Sequence, residues 1–220
     1  MQTSDLRIAL FSGNYNYVKD GANQALNKLV AYLLKEGAAV RVYSPTTDTP
    51  AFEPAGDLVS LPSLPIPGRD EYQLPLAVSG RIKRDLEAFA PNVVHISSPD
   101  RAARQAVKWA QRHNLPVLCS VHTRFETYLR YYNLSFAEPL MEAWLRRLYR
   151  KCDGLVAPSE SMAQVLRQQR MNYDIDIWSR GVDRDTFNPS RRDLDWRRSN
   201  GFADEDVVIG FLGRLVMEKG

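Results

Sequence analysis

Two cations beside a glycine, Arg214 and Lys219 after Gly213, and one histidine, His122, are the side chains whose types and spacing could do chemistry. The run Val207-Val208-Ile209-Gly210-Phe211-Leu212 is short, apolar and β-branched, so it reads as a buried strand with the cations on the connection after it. An open α/β sheet binds ligands at the carboxyl ends of its strands, and cations on such a turn suit a phosphate or diphosphate. Solvated surface cations are the alternative that these residues leave open. His122 follows the apolar run Val117 to Val121 and opens the stretch His122-Thr123-Arg124-Phe125-Glu126-Thr127-Tyr128-Leu129-Arg130-Tyr131-Tyr132. At the end of a central strand, a histidine reaches the ligand crevice and can donate or accept a hydrogen bond near neutral pH. A structural cap is the other reading of His122, and Arg124, Glu126 and Arg130 could equally form surface ion pairs of little weight.

The elements that must position these residues are strands alternating with helices. Arg7 to Ser12 reads as a buried first strand, and Gly13 to Gly21 as a polar loop containing Asn14, Tyr15, Asn16, Tyr17 and Lys19. Ala22, Ala25, Leu26, Leu29, Val30, Leu33 and Leu34 then recur at helical spacing up to Gly37, a natural stop. Such a unit sets the helix N-terminus, with its unpaired N–H groups, at the strand end, where an anion or a sugar hydroxyl can dock. Gly21 lets the backbone come close there. With no Gly-x-Gly-x-x-Gly fingerprint in the unit, a nicotinamide-type dinucleotide site is not supported.

Further strands are expected over Val40 to Ser44, Asp57 to Leu61, Val93 to Ile96 and Gly154 to Ala157, with a last one and a turn over Ile175 to Asp183. His95 lies inside its strand and reads as a hydrogen-bonded core histidine. The proline-rich stretch from Leu61 to Pro75 predicts a long irregular connection. Helices are expected from Ser79, over Ala103 to Asn114, after Pro139, from the N-cap Ser159 to about Gln169, and as a short basic helix over Arg191 to Asn200. Arg81, Lys83 and Arg84 crowd the first turns of one helix against its dipole, which hints at a use beyond solvation; a solvated basic face is the plainer account.

Composition bounds the function. The 220 residues, 44% hydrophobic and 25% charged, suit one large globular domain plus a fragment. A net charge of +3, from 29 basic and 26 acidic residues, does not announce a nucleic-acid binder. Cys119 and Cys152 sit in apolar or helical patterns and read as packing residues of a reducing compartment. The apolar run near the N-terminus is too short for a signal peptide or a membrane span, so a cytoplasmic location is expected. No Asp-x-Asp stands on a strand end and no His and Cys cluster, so metal-assisted chemistry is disfavoured.

Four ordered segments carry a family resemblance: the Asp20-Gly21 loop, His122-Thr123, Gly181-Val182-Asp183 with Phe187 and Pro189, and Gly213-Arg214-Leu215 followed by Glu218-Lys219-Gly220. In this order the chain resembles the N-terminal part of the retaining, two-domain glycosyltransferases of the GT-B fold, family 4 type. The resemblance implies an α/β fold with a Rossmann-like parallel sheet flanked by helices and the start of a second domain. Residues 1–183 would form the acceptor-binding domain and 184–205 a linker with a short helix. Residues 206–220 would be the first strand of a nucleotide-sugar-binding domain cut off at that point. It further implies transfer of a hexose of the mannose or glucose type, with retention, from a GDP- or UDP-sugar to a lipid or glycan acceptor. No cofactor or metal is implied.

In that reading Arg214 and Lys219 grip the donor diphosphate, and His122 orients the donor sugar or the acceptor. Asp20, Gly21 and Asn23 form the loop facing the acceptor and sugar phosphate, with Thr123 and Tyr128 on the acceptor side. Arg81, Lys83 and Arg84 would meet acidic lipid, giving peripheral contact with the inner face of a membrane. The 220 residues alone are expected to bind nucleotide-sugar poorly and to be inactive. A non-catalytic Rossmann-like module that binds a sugar or a partner protein is the alternative.

Overall fold

The computed structural model describes residues 2–66 and 69–211, the side chains of Arg69 and Asp70 excepted. Its centre is a parallel sheet in the order β3-β2-β1-β6-β7-β8-β9, with the switch of strand order between β1 and β6. The strands are β1 Arg7–Phe11, β2 Ala39–Ser44, β3 Asp57–Ser60, β6 Val93–Ile96, β7 Val117–Ser120, β8 Gly154–Ala157 and β9 Ile175–Ile177. Helices α1 Gly21–Lys35, α2 Gly80–Phe89, α3 Arg101–Arg112, α5 Glu138–Tyr149 and α6 Glu160–Gln168 connect or follow them. The expected α/β, Rossmann-like class is thus what the chain adopts.

Strand periodicity explains the layers. Successive side chains point to opposite faces, so Ile8 and Leu10 join one apolar cluster while Ala9 and Phe11 join another. On the first face Leu26 and Val30 of α1 pack against Val40 and Val42. On the second, Ile82 and Leu86 of α2 and Ala103, Ala106 and Val107 of α3 meet Val94 and Ile96. Each fully buried Leu, Ile or Val stabilises this packing by about 1.5–3 kcal/mol.

Helix starts follow from side chains that satisfy the first free N–H groups. Asp20, Ser79, Asp100 and Ser159 accept from the backbone N–H of Asn23, Ile82, Ala103 and Met162, respectively. Pro139 stands in the first turn of α5, where its missing N–H costs nothing. Gly37, beyond α1, has φ 88°, and Gly201, beyond the short helix α7 Leu194–Ser199, has φ 81°. Both are conformations that a Cβ would strain.

Two expectations need correction. The stretch over 61–75 is not irregular: β4 Ser63–Ile66 and β5 Arg69–Pro75 pair as an antiparallel ribbon. Pro65 sits opposite Gln73, and a two-stranded ribbon has only edge strands, which tolerate a missing N–H. The strand expected from Val207 is also absent over 207–211, where Val207, Ile209 and Phe211 are exposed and no strand pairs with them among the described residues. An apolar run becomes a strand only when a neighbour supplies its hydrogen bonds. Arg214 and Lys219 lie outside the described residues.

Candidate active site

The carboxyl ends of β1, β6, β7 and β9 gather the polar groups of the candidate site. His122 stands two residues beyond β7 and accepts at Nδ1 a hydrogen bond from Arg180 Nη2 at 3.0 Å. Arg180 follows β9, and its Nη1 lies 3.9 Å from the place a Cβ on Gly21 would occupy. One guanidinium therefore joins the N-terminus of α1 to the histidine at the end of β7. Trp178 meets the His122 ring edge-on at a centroid separation of 5.5 Å.

This cluster has unusual electrostatics. Burial first, then the charges of Arg180 and His95, lower the His122 pKa to about 3, so the ring is neutral at physiological pH. Burial also lowers the pKa of Arg180, partly offset by Asp20; the guanidinium remains charged at any physiological pH. His122 Nε2 and Arg180 Nε are buried and have no hydrogen-bond partner among the described residues. Arg180 adopts φ 68°, a left-handed conformation that costs a non-glycine residue about 1–2 kcal/mol. Such strain persists where surrounding structure holds it, often at sites of function.

The loop between β1 and α1 is built more firmly than its polar composition suggests. Tyr15, Asn16 and Tyr17 are buried, because each finds backbone partners that make burial of a polar group tolerable. Tyr15 OH donates to Ala55 O at 2.8 Å, and Tyr17 OH donates to Gly13 O at 2.6 Å while accepting from Gln73 N at 3.1 Å. Burial pushes the Tyr17 phenol up to about 12. Tyr17 thereby ties the loop to the β4–β5 ribbon.

Asp20 and Asn23 spend their polar atoms inside this loop. Asp20 Oδ1 accepts from Asn23 N at 2.8 Å, and Asn23 Nδ2 donates to Asp20 Oδ2 at 3.0 Å and to Val18 O at 3.1 Å. They shape the start of α1, whereas Gly21 keeps its surface open: among the described residues outside its own helix, only Arg180 lies within 4 Å of a Cβ placed there. In this loop the sterically demanding glycine is Gly13, where a Cβ would come within 3.2 Å of Asp100 Oδ2 and of Ser98 Oγ. Gly13 N donates to Ser98 Oγ at 2.7 Å, closing the switch point between β1 and β6.

Beyond His122, Thr123 is half-buried and α4 Phe125–Tyr128 begins. Tyr128 sits between Phe125 and Tyr131, each ring pair 6.3 Å apart. Of the surface ion pairs left open for Arg124, Glu126 and Arg130, the one at Glu126 is not on the surface: Glu126 is 2% exposed and paired with Arg124 Nε at 2.7 Å. Arg130 pairs instead with Glu138 at the surface. An apolar groove of about 450 Å³ opens here, lined by Phe125, Leu129, Leu140, Met141 and Trp144. Arg81, Lys83 and Arg84 are exposed in the first turns of α2, away from the His122 cluster in sequence and without an ion pair among the described residues.

His95 behaves as expected of a core residue, with Nε2 and Ser120 Oγ 2.6 Å apart and its pKa lowered by burial to about 4. Ser159 is accounted for by its cap. In Gly181-Val182-Asp183, Gly181 has φ 70°, and Asp183 accepts from the N–H groups of Asp185 and Thr186. The motif shapes a turn and so aims Arg180. Among the described residues no group of three or more His, Cys, Asp or Glu could hold a metal ion. Cys119 and Cys152 are buried free thiols, and no described helix is long and apolar enough to cross a membrane.

The profile of Glycosyltransferase Family 4 matches residues 19–186, most of the chain, from the Asp20-Gly21 loop through Asp183. This chain belongs to glycosyltransferase family 4. Among curated relatives it is 29% identical to sulfoquinovosyl transferase SQD2 of Arabidopsis thaliana over 97% of its length and 42% of that protein's. It is also 29% identical to a GDP-mannose-dependent alpha-mannosyltransferase of Mycolicibacterium smegmatis, over 97% of its length and 58% of that protein's. The family-4 chain thus spans about half the length of these relatives. A sucrose-phosphate synthase from Thermosynechococcus elongatus shares the fold, with a TM-score of 0.60 at 14% identity, over 90% of this chain and 53% of that one.

Two residues of the family-4 cluster escape sequence reading, Arg180 and Gly13. Arg180 had a usable signal, since a cation at the carboxyl end of a strand and beside a glycine is the same pattern as Gly213-Arg214. Gly13 had none, because its need for a bare Cα comes from Ser98 and Asp100, far away in sequence.

Proposed function

We propose that this chain is the acceptor-side lobe of a retaining hexosyltransferase that uses a nucleotide-diphosphate sugar. The observation that carries the reading is the junction of the α1 N-terminus, Arg180 and His122 at the carboxyl edge of the sheet in a family-4 chain. Free N–H groups at a helix start and a neutral imidazole suit sugar hydroxyls and phosphate oxygens. Transfer requires negative charge growing on the leaving diphosphate to be stabilised, and fixed cations do this without a metal. Arg214 and Lys219 fill that role in this proposal.

The donor is a GDP- or UDP-hexose of the mannose or glucose type, and attack occurs on the face the diphosphate leaves. The acceptor is a lipid or glycan, held near Thr123 and Tyr128; the apolar groove beside α4 supports the lipid. Arg81, Lys83 and Arg84 are free to meet acidic lipid at the cytoplasmic face of a membrane. Residues 206–220 open the donor-binding domain, and 184–205 link it to this lobe.

The test is a transfer assay on a protein in which this lobe is joined to a complete donor-binding domain, using GDP-mannose and UDP-glucose with lipid and glycan acceptors, with and without EDTA. Acceptor-dependent release of nucleotide that survives EDTA is expected. Absence of transfer from either donor to either acceptor class would falsify the reading. Calorimetry on the 220 residues alone should show weak nucleotide-sugar binding; tight binding would contradict the division into lobes.

A further inference from the structure

We propose that Arg180 is a positioning residue that locks His122 in its neutral Nε2–H tautomer, so that the crevice presents a fixed hydrogen-bond donor and no base. The inference rests on the transferase reading only for what the donor meets. A guanidinium has donors and no acceptor, so the 3.0 Å contact from Arg180 Nη2 requires the lone pair of His122 Nδ1. A neutral imidazole with Nδ1 as acceptor carries its proton on Nε2. Nε2 is the atom left buried and without a partner among the described residues.

Three further observations bear on the lock. Arg180 holds a left-handed φ of 68°, followed by Gly181 at φ 70°, so the contact to His122 is made from a strained backbone. The ring is also fixed from the side by Trp178 at 5.5 Å. The charged or titratable groups facing His122 are Arg180 after β9 and His95 on β6, and Asp20 before α1 acts on Arg180; a charge on either of the first two opposes a proton on His122. Because Nδ1 is engaged and Nε2 already bears hydrogen, His122 cannot take a proton from an attacking hydroxyl. Its Nε2–H is left as a donor, and Arg180 Nε is a second buried donor without a partner among the described residues. The site therefore selects a group rich in acceptor oxygens, such as a sugar hydroxyl or an anionic oxygen.

The experiment is ¹⁵N-imidazole NMR on the 220-residue chain, with the three histidines assigned by single His→Gln variants. Wild-type His122 should show the Nε2–H tautomer alone and no titration between pH 8 and 5. Arg180→Met should mix the tautomers and raise the titration midpoint by about one pH unit or more, whereas Arg180→Lys keeps a donor and retains the lock. Unchanged His95 signals report that each variant is folded. An Nδ1–H tautomer in the wild type overturns the proposal without any variant, as does an Arg180→Met spectrum identical to wild type. In the transferring protein, Arg180→Met should also add an acid limb to the pH profile of kcat/KM. A locked His122 in a protein that transfers no sugar would leave the lock standing and remove the transferase reading.

Discussion

His95 and His122 belong to neighbouring strands, one inside β6 and one just past β7, and the two side chains meet different neighbours. His95 is inside β6, and its hydrogen bond to Ser120 on the neighbouring strand β7 stays within the packed layer. His122 lies just past β7, where one ring nitrogen meets a cation and the other has no protein partner among the described residues. Burial lowers both pKa values. The difference is in what the neighbours complete: Ser120 gives His95 a neutral partner inside the core, while Arg180 engages one ring nitrogen of His122 and the other has no partner among the described residues. A lowered pKa alone does not distinguish the two histidines; the partners of their ring nitrogens do.

The sharpest way to break that comparison is to remove each ring in turn. In the protein that joins this lobe to a complete donor-binding domain, His122→Ala should lower transfer by about 10²-fold, the usual cost of one preorganised donor, with little change in unfolding midpoint. His95→Ala should cost about 2–4 kcal/mol in urea-determined stability, from a cavity and an orphaned Ser120 hydroxyl, while the folded fraction keeps its turnover. If the two variants exchanged these effects, the assignment of roles would be reversed.

Acid should expose what the two rings share. Each has a folded pKa below the ordinary value near 6.5, at about 4 for His95 and about 3 for His122, so the unfolded chain binds protons first. Their contribution to stability is present above pH 6.5 and is lost as pH falls toward those values. From pH 7.5 to 5, His95 should account for about 2 kcal/mol of lost stability. His95→Gln should remove that part of the slope, as read from urea midpoints at the two pH values.

How much of this could be read from sequence depended on whether the cause was local. The seven parallel strands and the helix starts at Ser79 and Ser159 were legible, because apolar runs and caps act over a few residues. His122 was legible as the first polar residue after an apolar strand. The β4–β5 ribbon was hidden by its prolines, which are compatible with a strand only when one edge is free. The Arg180–His122 contact was hidden because it spans 58 positions of chain, and the burial of Glu126 was hidden because Gln169, far along the chain, helps to enclose it. The strand expected from Val207 shows the reverse failure: a correct apolar pattern is not a strand without a partner.

The smallest effect separates the two glycines that bound the β1–α1 loop. Gly13→Ala places a Cβ 3.2 Å from both Asp100 Oδ2 and Ser98 Oγ, polar atoms already tied to each other at 2.6 Å and to the start of α3. Relief requires the Ser98–Asp100 pair to shift, so a loss of about 1–2 kcal/mol is expected in thermal or urea unfolding. Gly21→Ala meets only Arg180 Nη1 at 3.9 Å, an ordinary contact, in a helical first turn that alanine accepts. It should leave stability unchanged or raise it by about 0.5 kcal/mol through the unfolded state. Under the proposed function its effect belongs to binding, because an added methyl at the α1 N-terminus would crowd a ligand oxygen approaching the N–H groups. Weaker acceptor or donor binding at undiminished stability is therefore expected for Gly21→Ala alone, measured as a rise in KM against a constant unfolding midpoint. Equal KM values for wild type and Gly21→Ala would show that the open surface beside Arg180 is not where the ligand sits.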